Sequence, residues 1–272
     1  MTRVAGVSDA PATVIVLAAQ RTGIVDPLAE RAGTSHKCLV PICGEALIVH
    51  VIRTLGSLPD IARIRIVMEP EAHSKVSSAI APVLPAGLEI EFVPSQPNIV
   101  DSMIAGAGDD DGPFIITTAD NVLLTADAVA QMRAALQSAD GAIGVTTKER
   151  VLAAHPEGQR RFYEFKDAGY ANCNLYGLAN RRAFAAAEMF REGGQFQANP
   201  GRMIRAFGLF NILSMWLGWV SFATGFQRVS KRFGVSIAPL TFEDGALAID
   251  VDNERTYDCC ETIMKQRQGQ ST

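Results

Sequence analysis

Two kinds of charged residue stand where short apolar runs end. Asp120 follows "PFIITTA", and Asp250 and Asp252 follow "LAI" near the end of the chain, while Arg21 and Lys37 accompany the polar loop that leaves "TVIVLAA". Carboxylates far apart in sequence, but able to meet at one edge of a sheet, suit a divalent cation; magnesium prefers oxygen and commonly bridges one or two carboxylates to phosphates. A lysine and an arginine around a loop that carries Gly23 suit the charge of a phosphate chain. Each group also has a plainer reading. Lys37 could be a solvated loop lysine, Asp120 could cap the helix expected at 126–135, and Asp252 could cap the last helix. Thr125 is better placed for the first of those caps, which leaves Asp120 free for a metal. His36 reads as a structural hydrogen-bonding residue beside Lys37.

Such groups need a scaffold, and the chain alternates strand-like and helix-like stretches. "TVIVLAA", "RIRIVME", "LEIEFVP", "PFIITTA" and "GAIGVTT" are short runs rich in β-branched residues, with helices expected at 45–55, 71–81, 100–107 and 126–135. This alternation predicts an α/β fold with a mostly parallel sheet and helices on both faces, in which ligands bind beyond the carboxyl ends of the strands. From about residue 162, "RFYEFKDAGYANCNLYGLA" suggests a hairpin and a further strand. A last strand–helix unit is expected over 247–265, with the strand ending at Ile249. No repeat or linker is visible, so residues 1–272 read as one domain with a helical insertion at about 198–234.

The 272 residues are 48% hydrophobic, enough for a sizeable core, and a net charge of -4 gives no reason to expect nucleic acid as a partner. Five cysteines without metal spacing, and a polar start without an apolar signal, predict reduced thiols in a cytoplasm. Residues 206–227 carry no charge, yet their glycines, serines and Asn211 suggest two short helices rather than a bilayer span. For the second helix, Ser221 is a suitable N-cap, Phe222, Phe226, Val229 and Phe233 recur at helical spacing, and Gly234 would end it. Residues 206–233 could pack on the domain, form a homodimer contact, or make a peripheral contact with the inner membrane.

"VIVLAA…HKCLVPICGEALIVHVI", "TTADNVLLT" and "IDVDNERTY", in that order, resemble the MobA-like NTP transferases, nucleotidyltransferases with a Rossmann-like, GT-A-like fold. The segments correspond to the family's phosphate loop with K-x-L-x-P-x-x-G-x-x-L, its D-x-P-L-L-T and its closing D-x-D-T-P-E-D-L. Gln20 stands in the place of the family's first loop glycine, and Asn121 and Val122 replace the last two residues of D-x-P. The resemblance implies a magnesium-dependent transfer of a nucleoside monophosphate from an NTP to a phosphorylated small molecule, with release of pyrophosphate.

By that resemblance, Asp120 and Asp252 hold the magnesium, with Asp250 as an alternative ligand or a support behind them. Lys37 and Arg21 neutralise the triphosphate. Leu17, Ala18, Ala19, Gln20 and Gly23, with Ala119 beside Asp120, line the nucleotide, and Pro94, Ser95 and Ser102 match the base-contacting segment. Asn172 and Asn174, at alternate strand positions, and Lys166 are acceptor-binding candidates. An apolar, basic-edged insertion points to an acceptor in lipid head-group synthesis, such as a polyol phosphate, with CTP as donor. Two other readings stay open: a GT-A-like glycosyltransferase using the "DVD" at 250–252, and a nucleotide-binding regulator without catalysis.

Overall fold

The computed structural model describes residues 10–20, 25–187 and 220–269. Its centre is β1 (Ala12–Leu17), a strand of β-branched and small residues paired in parallel with β4 (Ile61–Met68) on one side and β6 (Phe114–Thr118) on the other. Ala12, Val14, Ile15 and Val16 are fully buried, as expected of a parallel strand covered on both faces. Beyond β4 lies β5 (Glu89–Pro94), also parallel. Beyond β6, the chain reverses direction in β9 (Gly169–Leu178), which pairs antiparallel with both β6 and β7 (Gly141–Thr147). The strand β10 (Ile237–Thr241) closes that side in parallel with β7, and β8 (Tyr163–Glu164) forms the predicted hairpin with β9. The eight-stranded sheet therefore runs β10-β7-β9-β6-β1-β4-β5, with β8 on β9, and is mixed but mostly parallel as expected.

Helices cover it. The expected helix at 126–135 is α5 (Ala126–Ala135), and Thr125 caps it by accepting the Ala128 N–H. The helix expected at 100–107 is α4 (Ile99–Ala107), capped by Asn98, and the one expected at 71–81 is a 3-10 turn, Pro70–Ala72, followed by α3 (His73–Ile80). Two short helices were not anticipated: α1 (Pro27–Arg31), which Asp26 caps inside the opening loop, and α6 (Lys148–Ala154), which Thr147 caps.

Two sequence expectations need correction. The helix expected from residue 45 begins two residues later, as α2 (Leu47–Gly56), because Glu45 and Ala46 form β3 and pair with β2 (Pro41–Ile42). The connecting residues Cys43 and Gly44 both have positive φ, 48° and 87°, as a tight two-residue hairpin turn requires. The strand expected to end at Ile249 is instead a 3-10 turn over Gly245–Ala248, started by Asp244 accepting the Ala246 N–H. Gly245 explains the difference: a Cβ there would lie 2.0 Å from the Arg150 carbonyl oxygen, so the segment is pressed against α6 rather than laid along the sheet.

Residues 188–219 lie outside the described residues, and with them most of the insertion expected at about 198–234. The part that follows is α7 (Phe222–Phe233), with Ser221 as its cap and Gly234 in the left-handed conformation at its end, both as expected. Phe222 is turned inward. Its ring stacks on Tyr170 at 4.0 Å and meets the edges of Phe165 and Phe226 at 5.0 and 4.8 Å. Truncating Phe222 to Ala is therefore expected to destabilise the fold by about 3–5 kcal/mol, the usual cost of deleting a buried aromatic side chain, read as a lowered denaturant midpoint. Among the described residues, no helix is long and apolar enough to cross a membrane.

Candidate active site

The carboxyl ends of β1 and β6 and the segment before the last helix, α8 (Glu254–Gly269), converge on one cluster. Asp120 lies two residues past the end of β6. Asn121, fully buried, pins that turn by donating from Nδ2 to the Thr117 hydroxyl at 3.2 Å and to the Cys173 carbonyl at 3.0 Å. The Asp120 carbonyl accepts the Val251 N–H at 3.2 Å, which brings the distant 250–252 segment alongside. Carboxylate oxygens of Asp120, Asp250 and Asp252 then lie within 4.8 Å of one another.

Lys37 closes the cluster. It begins the 3-10 turn Lys37–Leu39, and its Nζ donates to Asp120 Oδ2 at 2.5 Å and to Asp252 Oδ1 at 3.0 Å. Burial alone would lower the lysine pKa, but Asp120 and Asp252 outweigh it and hold the ammonium charged well above the ordinary lysine range. Asp250 is pushed the other way: loss of solvent, then the neighbouring charges of Asp252 and Asp120, raise its carboxyl well above the usual range, and Lys37 offsets only part of this. Asp120 Oδ1 is buried and accepts no hydrogen bond. An all-oxygen donor set with an unsatisfied buried carboxylate oxygen fits a hard divalent cation.

The capping alternative for Asp252 falls to its neighbour. Asn253 Oδ1 accepts the Thr256 N–H at 3.3 Å, and Thr256 Oγ1 accepts the Asp252 and Asn253 N–H groups at 2.9 and 3.1 Å. This reciprocal cap leaves the Asp252 side chain, 59% exposed, turned to Lys37 at the rim.

At the opening loop, Arg21 and Gly23 lie outside the described residues. Leu17 and Ala18 are tied to neighbouring strand ends, the Leu17 carbonyl by Ala119 N–H and the Ala18 N–H by the Val67 carbonyl, both at 3.0 Å. Ala19 carries the chain from there to Gln20. At Gln20, a position expected to line the nucleotide, the N–H donates to Glu69 Oε1 at 3.0 Å, while the side-chain amide donates to the Ser35 carbonyl. Glu69 also faces His36 Nε2 at 3.7 Å, and His36 Nδ1 contacts Ser35 Oγ, so His36 has the structural role expected of it.

Pro94 ends β5 and Ser95 follows it, with β4 between them and β1. The Ser102 hydroxyl, buried, accepts the Gln96 N–H at 2.9 Å and so shapes the turn before α4. Lys166 is exposed on the β8–β9 turn and is not among the groups gathered at the carboxylates. Asn172 and Asn174 are gathered there, for Asn174 Nδ2 donates to Asp250 Oδ2 at 2.8 Å and Asn172 Nδ2 donates to Asn174 Oδ1 at 3.0 Å. Sequence reasoning missed Glu69 and Tyr176. Glu69 carried the same signal as Asp120, an acid at a strand end, whereas nothing in the sequence marked Tyr176.

The family profile of the MobA-like NTP transferase domain matches residues 14–198. No curated protein sequence matches. Among solved structures, a hypothetical transferase from Thermus thermophilus superposes with a TM-score of 0.73 at 22% identity, over 91% of this chain and 99% of that one. A 4-diphosphocytidyl-2C-methyl-D-erythritol synthase from Anaerococcus prevotii gives 0.59 at 9% identity, covering 95% and 98%. The CMP:2-keto-3-deoxy-manno-octonic acid synthetase complexed with CTP gives 0.58 at 14% identity, covering 94% and 99%. At these identities the structures share a fold with this chain.

Proposed function

The chain belongs to the MobA-like NTP transferase family and is a nucleotidyltransferase, and from that premise we propose that it moves a nucleoside monophosphate from an NTP to a phosphorylated small molecule, releasing pyrophosphate. The observation that supports this most directly is the convergence of Asp120, Asp250 and Asp252 with Lys37 lodged between two of them. These three carboxylates would hold magnesium, which when bound offsets charge on phosphate oxygens. An attacking phosphate oxygen is already ionised near neutral pH, so no general base or covalent nucleophile is required. What the chain must supply is alignment and fixed positive charge, and Lys37, held charged by its two partners, supplies the latter. The loop 17–23 and Ala119 would line the nucleotide, with Arg21 as a further counter-charge.

CTP is our preferred donor, prompted by the two neighbours of like fold whose names carry cytidylyl chemistry. The apolar, basic-edged stretch 206–233 is the reason to place the acceptor among polyol phosphates that feed lipid head groups. A glycosyltransferase reading of the "DVD" segment leaves Lys37 without a role, and the family match argues against it.

The test is a panel of ATP, CTP, GTP and UTP, each with magnesium or with EDTA. One nucleotide at about a hundredfold over Kd is expected to stabilise the protein by about 2.7 kcal/mol in magnesium only. That nucleotide should then support pyrophosphate release across a panel of phosphorylated polyols. A protein that no NTP stabilises would overturn the reading.

A further inference from the structure

Behind the carboxylates lies a run of polar side chains that the proposed transfer does not by itself require. Asn174 has a φ of 47°, in the left-handed region where side chains other than glycine are uncommon, although asparagine tolerates it. The conformation arises from a bulge: between the pairs Ile143↔Tyr176 and Val145↔Asn172, the single residue Gly144 faces Cys173, Asn174 and Leu175. Gly144 is needed there, since a Cβ would come within 2.7 Å of the Phe242 ring and 3.0 Å of the Leu175 carbonyl oxygen. Two extra residues keep the alternation of faces in step, so Asn172, Asn174 and Tyr176 remain on one side.

The chemistry of the partners sets the direction of each amide. Asn174 Nδ2 donates to Asp250 Oδ2, which accepts when the carboxyl is ionised, as it must be to hold a cation. Asn174 Oδ1 is taken by Asn172 Nδ2, and Asn172 Oδ1 accepts the Asn174 backbone N–H at 3.3 Å. Asn172 Nδ2 also meets the Tyr176 hydroxyl. A flipped Asn174 amide would set oxygen against carboxylate and nitrogen against nitrogen, so the arrangement admits one orientation. Strained backbone at such a place is a pointer to function rather than to folding.

We propose that Asn174, braced by Asn172 and Tyr176, is a positioning residue that fixes the Asp250 carboxylate for the divalent cation, rather than a group that binds the acceptor. The inference rests on the cation reading proposed above. Groups hydrogen-bonded to metal-ligating carboxylates orient them, and losing such a group weakens metal binding even when every ligand remains.

The test is binding of manganese(II) alone to the full chain, followed by the free-ion resonance signal, for wild type, Asn174→Gly and Asn172→Ala. Glycine adopts positive φ freely, so the first variant removes the amide while keeping the backbone conformation. Asn174→Gly is expected to weaken manganese binding by about 10- to 100-fold, and Asn172→Ala to weaken it less, both with thermal midpoints near wild type. Wild-type manganese affinity in Asn174→Gly, with only the acceptor KM raised, would overturn the positioning role and return this residue to acceptor binding. Should Asn174→Gly not fold, unchanged affinity in Asn172→Ala would overturn it instead. A wild-type protein that binds no manganese would remove the cation reading itself, and this inference with it.

Discussion

Asp120→Asn is expected to lower kcat/KM by about a thousandfold, since several kcal/mol of charge stabilisation depend on the cation and each 1.4 kcal/mol is a tenfold change in rate. The same substitution should leave the cation-free thermal midpoint unlowered. In the protein without cation, Asp120 Oδ1 is buried without a partner, and its charge helps to push the Asp250 carboxyl upward. Asparagine removes one of three crowded negative charges while Lys37 keeps its contact with Asp252. Lost activity without lost stability is the mark of a site whose charges are gathered for function rather than for folding. Calorimetry in EDTA beside steady-state kinetics checks both, and a large drop in midpoint would instead identify Asp120 as a structural residue.

Lys37→Met should lose both activity and stability. Activity is expected to fall by about 10²- to 10³-fold, as when one preorganised charge-stabilising donor is lost. Here the cation-free protein should also lose about 1–3 kcal/mol of stability, between the cost of losing an exposed ion pair and that of breaking a fully buried one, because Asp120 and the largely exposed Asp252 are left without their counter-charge. A divalent cation should restore that stability. The ammonium now occupies oxygens that the cation would use, so the variant should bind manganese alone more tightly than wild type does. Nucleotide affinity should weaken. Since both partners hold the lysine charged above the ordinary range, this contribution persists across neutral and mildly alkaline pH and fades only as pH rises beyond it. Equal manganese affinity in variant and wild type would show that Lys37 and the cation do not compete.

The contrast between the two ends of the cluster shows how far the sequence could be read. Asp120 and Lys37 were legible because each follows a local pattern: a β-branched run ending in an acid, and a polar loop returning through a lysine into an apolar stretch. The parallel plan was legible for a related reason, since strands buried on both faces must be apolar throughout and the helices between them must repeat at their own period. The cap at Thr125 and the stop at Gly234 were equally local.

Other features were settled by contacts that no local pattern reports. The 45–46 segment became a strand because Cys43 and Gly44 turn it onto Pro41 and Ile42, and the segment before Ile249 became a 3-10 turn because Gly245 is pressed on α6. Gln20 turned its N–H to Glu69, a residue 49 positions away. Asn172 and Asn174 were visible as a pair on one face of a strand, but their partner Asp250 lies 76 residues beyond Asn174 and was brought there by the sheet. By itself the sequence determined the fold class, the family and the charged residues of the cluster, because residue type and short-range spacing encode those. Only the tertiary structure decided which of these groups share a hydrogen bond, because a carboxylate's partner depends on where strands distant in sequence end in space.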